Sequence, residues 1–397
     1  MKAYNEEWIY NREIINQAQR WHREGLVNDS QLAVIKETYP VKFRDTSAFV
    51  EIGLFLFSIV AASGGYALLG LILSDVLQES FATGLFNILL GIGIGFFVEF
   101  LIRKQGMFRN GVDNALIAFM TALLVIGLNV WLPDETPVWS RCLVSLPVLF
   151  AVVWYYGDLI VMFGLISAVY TLVFDLLNDT ASADLLIPLV MMALSAGLYW
   201  LALRLDLSLR SKKNVYWSDA LNLAQWMTLS LLLINGNYFF VREVLSFLLK
   251  PDLNLRGAFS GASEIALSWL FWLFTFGIPL LYGFIGTTRK NRMFLILACL
   301  GTAGAIATAR NYIGVLPWSV HLTVSGLILV LISIPLIRYL REPRYGFTDV
   351  PDEDSPKEFF LDAETVGAIQ AAASTQPPKG LSYGGGDFGG GGAGKEY

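Results

Sequence analysis

Glu99 is a carboxylate in an otherwise apolar run, GIGIGFFVEFLIRK. One helical turn later stand Arg103 and Lys104. At a spacing of four, a helix places Glu99 and Arg103 on one face, where they pair locally. Without such a pair, a carboxylate in a hydrocarbon-like stretch would be costly and would mark a proton or solute path. Asp158 stands with Tyr155, Tyr156 and Gly157 where two apolar runs meet. Its plain role is to cap a turn. A sharper one is a polar patch shared with Glu99. Glu264 opens another apolar run after Ser260, Gly261, Ala262 and Ser263, where a first-turn carboxylate meets free backbone N–H groups. Arg310 and Asn311 end a following run, and His321 lies about one turn into the next. Glu264, Arg310 and His321 could converge on one polar pocket, with the imidazole as the group that changes charge near neutral pH.

No catalytic set accompanies these residues. HExxH and GxxxxGK[ST] are absent. GLSYG at 380–384 matches GxSxG but lacks the strand–turn–helix setting of a nucleophile elbow. The only other His is His22, and the two cysteines, Cys142 and Cys299, sit in separate apolar runs. These residues imply neither a metal site nor a cofactor.

The elements that must position these side chains are membrane helices. Of 397 residues, 55% are hydrophobic and 15% charged, against about 45–50% and about 25% in soluble domains. The net charge of −5 and the lack of a basic patch exclude nucleic acid as a partner. The sequence predicts an all-α, polytopic transmembrane bundle of about ten spans. Its spans are 48–74, 81–101, 113–132, 141–157, 159–177, 185–203, 218–236, 263–286, 293–309 and 318–337. Residues 1–47 read as a soluble helical hairpin, 48–340 as the transmembrane domain, and 341–397 as a largely disordered, Gly-rich tail. Residues 237–262 read as an interfacial helix or as an extension of the seventh span. Gly91 and Gly95 have the GxxxG spacing of close helix packing, and Ala61 to Gly65 form a second group of small residues.

Loop charge sets the orientation. Arg103, Lys104 and Arg109, then Arg204, Arg210, Lys212 and Lys213, then Arg289, Lys290 and Arg292, then Arg338, Arg341 and Arg344 follow even-numbered spans. The opposite loops carry Asp75, Glu79, Asp134, Glu135, Asp179 and Asp184. The positive-inside rule then places both termini in the cytoplasm.

The segment RWHREGLVNDSQLAVIKETY, residues 20–39, leads into the first span. It resembles the short N-terminal helical hairpin of a family of bacterial predicted multi-pass membrane proteins, best over residues 10–75. The tail resembles the Gly-rich ends of some bacterial membrane-anchored proteins. Both resemblances imply a bacterial inner-membrane location and supply no catalytic residues. Three functions are open at this point: a small-molecule or ion transporter, a scaffold or sensor, and a lipid-modifying enzyme. The expected partners are the lipid bilayer and proteins bound through the hairpin or the tail.

Overall fold

The computed structural model describes residues 2–23, 25–43, 48–180, 182–212, 214–249 and 267–313, with isolated positions between 320 and 341. The chain divides into two compact units, Met1–Thr46 with Val50–Ile334, and Ser47–Phe49 with Pro335–Tyr397. Among the described residues there are twelve helices and no strand, as the all-α reading expects.

The chain opens with a helical hairpin, α1 (Glu6–Arg23) and α2 (Asp29–Thr38). Gly25 leaves α1 at φ 73°, a conformation that costs glycine little. Asn28 is the N-cap of α2. The Asn28 side chain accepts from the Gln31 N–H at 2.8 Å, and Gln31 accepts in return from the Asn28 N–H at 3.0 Å. This reciprocal pair satisfies two otherwise unpaired donors.

Long apolar helices follow: α3 (Ala48–Ile72), α4 (Ser80–Gln105), α5 (Val112–Val130), α6 (Val138–Tyr156), α7 (Leu159–Asn178) and α8 (Ala183–Ser211). After α9 (Ser218–Asn235) and the short α10 (Phe240–Leu249) come α11 (Ser268–Arg289) and α12 (Arg292–Ile313). Eight of these are long and apolar enough to cross a membrane, and the bent pair α9–α10 raises the number to nine. The expected tenth span, 318–337, lies largely outside the described residues, as does the tail from 342 onward.

Neighbouring helices pair as hairpins, α4 with α5, α6 with α7, α8 with α9 and α11 with α12. The contact of α4 and α5 depends on Gly91, since a Cβ there would stand 3.1 Å from the Leu124 side chain and 3.2 Å from the Met120 carbonyl. The small residues of α3 behave differently: a Cβ at Gly64 or Gly65 would meet no described atom within 4 Å.

The core is built from Val98, Ile117, Ile187, Val241 and Phe271, all at or below 2% exposure. Large apolar side chains also point outward, among them Phe57, Phe96, Leu280 and Phe284. A continuous apolar exterior of this kind suits lipid and not water. The fold therefore suggests a membrane-spanning protein.

Candidate functional site

Two polar assemblies stand at opposite ends of the helices. The first gathers where the N-terminal segment meets the α4–α5, α6–α7 and α8–α9 connections. Asp113, in the first turn of α5, is fully buried. Its carboxylate accepts from the Tyr4 hydroxyl at 2.8 Å, the Arg109 N–H at 2.7 Å and the Asn110 N–H at 2.9 Å. These bonds help hold Arg109 at φ 49°, a left-handed conformation that costs a non-glycine residue roughly 1–2 kcal/mol. The Arg109 guanidinium then bridges two further elements, donating to Asp219 and, at 3.3 Å, to the Gly157 carbonyl.

The N-terminal segment is held by more than Tyr4. The Ala3 N–H donates to the Tyr155 carbonyl at 3.1 Å. Lys2 sits 3.9 Å over the Trp217 ring and 2.6 Å from Glu6, a cation–π contact joined to an ion pair. Burial pushes the Tyr4 hydroxyl well above its usual pKa, and the Asp113 charge adds to this. Tyr4 is therefore a neutral donor across the physiological range.

Asp158 is the N-cap of α7. It accepts from the Ile160 and Val161 N–H groups at 2.9 and 3.0 Å. Its turn separates α6 from α7, so the long apolar stretch is two helices. Burial raises the Asp158 carboxyl to about 6. The two backbone donors and Arg109 oppose the rise, while Asp113 reinforces it.

Glu99 pairs with Arg103 as its spacing predicts. It also accepts from the Tyr155 hydroxyl at 3.0 Å, a bond between α4 and α6 that spacing within one helix cannot reveal. Its other carboxylate oxygen is buried with no hydrogen-bond partner. Glu99 and Asp158 thus lie at the same end of the bundle, linked through Tyr155 and its neighbours. They do not touch the second assembly.

That second assembly forms at the break between α9 and α10, which meet at 81°. The backbone passes from Gly236 through Asn237 into a π turn, Phe240–Val244. Asn237 caps the new helix by accepting from the Phe239 N–H at 3.0 Å and the Phe240 N–H at 3.3 Å. Its side chain also accepts from the Thr308 hydroxyl of α12 at 3.0 Å. Thr275 of α11 accepts from the Tyr238 N–H at 2.9 Å. The bend is thus fixed from both neighbouring helices. With Val241, Glu243 and Leu245 buried, α10 packs into the bundle, and the 81° bend excludes a straight extension of α9.

Beside this bend lies a cavity of about 610 Å3. Its polar lining is Asn237, Thr275, Thr308, Arg310 and Asn311. Leu233, Ile234, Phe239, Phe240 and Leu300 supply apolar wall, and Gly301 and Gly304 give α12 a thin face there. Ile234 and Leu300 are 40% and 61% exposed, so the cavity opens on the flank of the bundle. Ligand sites usually combine apolar walls with a few placed polar groups, in volumes of about 300–1,000 Å3.

Next to the cavity, Glu243 is buried and accepts from the Tyr312 hydroxyl at 2.8 Å. The Arg242 Nε lies 3.7 Å from the same carboxylate oxygen, and the guanidinium stacks 5.1 Å from the Tyr312 ring centre. The second Glu243 oxygen is buried without a hydrogen-bond partner.

Arg310 lines the cavity. Glu264 and His321, its expected companions, lie outside the described residues. Sequence reading did not single out Asn237, Thr275 or Thr308, which are ordinary polar residues until the bend brings them together. The signal for Glu243 was present as charges interrupting FFVREVLSFLLK. Asp113 and Tyr4 gave none, being distant in sequence and common in type. No group of three metal-ligating side chains occurs among the described residues. Comparison with family models, curated proteins and solved structures finds no match.

Proposed function

We propose that this chain is a multi-pass protein of the bacterial inner membrane, with both ends in the cytoplasm, that binds and carries a small solute. The observation carrying this reading is the cavity of about 610 Å3 at a bent helix, floored by amide, hydroxyl and guanidinium groups. Interrupted helices recur at the binding sites of membrane carriers, because the break frees backbone groups and lets two helix segments move separately. The loop charges support the orientation, and the resemblance of residues 20–39 supports the bacterial setting.

The test is cysteine access in protein whose Cys142 and Cys299 are replaced by Ala. A carrier exposes its site to water. Gly304→Cys and Thr308→Cys should therefore react with a membrane-impermeant thiol reagent, and each should be reachable from either side of a sealed vesicle over time. Protection of both positions from both sides would refute a carried solute.

A second reading, a scaffold that recruits proteins, draws on α2, of which no residue is buried. Under that reading both positions stay protected, and removal of α2 abolishes partner binding.

A further inference from the structure

We infer that residues 2–4 are a latch on the end of the bundle opposite the cavity, and that its release is coupled through α9 to closure of the cavity. This rests on the reading of the cavity as a solute site and supplies the gate such a site needs at its other end.

The contacts of the segment carry the inference. Three successive residues land on three different connections. The Tyr4 hydroxyl donates to Asp113 at the α4–α5 connection, and the Ala3 N–H to the Tyr155 carbonyl at the α6–α7 connection. The Lys2 ammonium lies over Trp217 at the start of α9. Ala3 and Tyr4 are 7% and 4% exposed, although α2, later in the same hairpin, buries no residue. The same connections are joined a second time by side chains of the bundle itself. Arg109 donates to Asp219 and to the Gly157 carbonyl, and the Trp217 indole N–H donates to the Val153 and Trp154 carbonyls at 3.3 and 3.2 Å.

The bonds of the segment are of a kind that breaks without unfolding. Two are hydrogen bonds and one is a cation–π contact, and water serves each of these groups in exchange. Asn5 accepts from the Glu7 and Trp8 N–H groups at 2.9 and 3.3 Å, so α1 is capped there. Residues 2–4 precede that cap and leave while α1 stays whole. Asp113 keeps its Arg109 and Asn110 donors when Tyr4 departs, so its buried charge is not stranded.

The helix α9 connects the latch to the cavity. It starts beside Trp217 and ends at Asn235, next to the bend at Asn237. Leu233 and Ile234 of its last turn wall the cavity. Its 18 residues form one unbroken helix, roughly 27 Å long at 1.5 Å per residue. A rigid helix released at Trp217 tilts, and its other end then moves against α12. Rocking of this kind opens one end of a carrier as it shuts the other. With the latch made, the far end is tied and the cavity is open on the flank.

A static clamp is the alternative, and maleimide reaction rates separate the two. The material is the full chain in nanodiscs, with Cys142→Ala and Cys299→Ala. Val153→Cys reports the latched end, since Val153 is 8% exposed and its carbonyl holds Trp217. Gly304→Cys reports the cavity, where a Cβ meets nothing within 4 Å. Tyr4→Phe should raise the Val153→Cys rate by about tenfold or more, the loss of a hydrogen bond to a charged group. Lys2→Gln should raise it about threefold, and Lys2→Arg, which keeps the cation–π contact, should not. Neither Tyr4→Phe nor Lys2→Gln should raise the Gly304→Cys rate. A second measurement leaves the latch residues unaltered. A bulky maleimide on Gly304→Cys wedges the cavity open, so by reciprocity it should slow hydrogen exchange of the amides of residues 3–4 and 214–221. The slowing should be at least about fivefold, the lower end of ordinary coupling between sites. Rates rising together at Val153→Cys and Gly304→Cys would mark a clamp and overturn the latch. Exchange unchanged by the wedge would overturn the coupling and leave the solute site standing. A Gly304→Cys that does not react with Lys2 and Tyr4 in place would overturn the solute site, and the gate with it.

Discussion

Asp158 and Asp113 show how two carboxylates at one end of the bundle are treated differently. Asp113 collects a phenol and two backbone donors, which together satisfy a buried charge. Asp158 has two backbone donors and little solvent, and burial holds its carboxyl at about 6. The folded protein therefore favours the protonated form more than the unfolded chain does. Its contribution to stability is full below the ordinary value of 3.8 and is lost as pH rises through about 6. The loss amounts to about 3 kcal/mol at most, at about 1.4 kcal/mol for each tenfold change. Asp158→Asn keeps a capping oxygen, since Asn is as good an N-cap as Asp, and removes the titration. Melting temperatures of the purified protein between pH 4.5 and 7 should fall more in the wild type than in Asp158→Asn. Parallel curves would show that Asp158 does not titrate in this window.

At the scale of elements, the bend between α9 and α10 depends on Asn237. Its oxygen serves two backbone donors of α10 and the Thr308 hydroxyl of α12. Loss of an N-cap costs about 0.5–2 kcal/mol. Asn237→Ala should therefore destabilise the protein by about 1–2 kcal/mol, the loss of cap and cross-helix bond together. In a double-mutant cycle with Thr308→Val the two changes should be coupled by at least about 0.5 kcal/mol. Additive effects, measured by unfolding in detergent, would show that the bend is set elsewhere. The long helices were readable because a span is a run of about 20 apolar residues, a property each segment carries alone. The turn at Gly157–Asp158 was readable for a related reason: one helix could not fit the bilayer. The 81° bend was not. Gly236 and Asn237 are common turn residues, and their effect depends on Thr275 and Thr308, which are remote in sequence. Similarly, the Glu99–Arg103 pair was legible at i,i+4, while Tyr155, the third member, was not. At the start of α2, Asn28, Asp29 and Ser30 can all cap, and Gln31 decides among them by answering Asn28.

Over the whole molecule, the direction of each helix links loop charge to geometry. Tyr282 of α11 donates to the Leu229 carbonyl of α9 at 3.0 Å, while Thr275 meets Tyr238 at 2.9 Å. Rising numbers on one helix match falling numbers on the other, so α9 and α11 are antiparallel. Thr308 beside Asn237 places the end of α12 at the bend. The connections near Arg109, Lys212 and Lys290 therefore fall at the end bound by the N-terminal segment, and Arg310 falls at the other. Arg141, also at the far end, donates to the Thr136, Pro133 and Asp134 carbonyls and so is occupied by its own loop. A cation used in this way is a structural clamp and weighs little against the charge bias of the other loops. Under the proposed orientation, Lys212 faces the cytoplasm and Glu135 the opposite compartment, and both side chains are exposed. In protein lacking Cys142 and Cys299, Glu135→Cys should react with an impermeant maleimide in intact spheroplasts. Lys212→Cys should react only after permeabilisation. The reverse pattern would invert the protein in the membrane. It would also place the cavity at the cytoplasmic end of α12. Labelling of both positions in intact spheroplasts would break the antiparallel arrangement of α5 through α8.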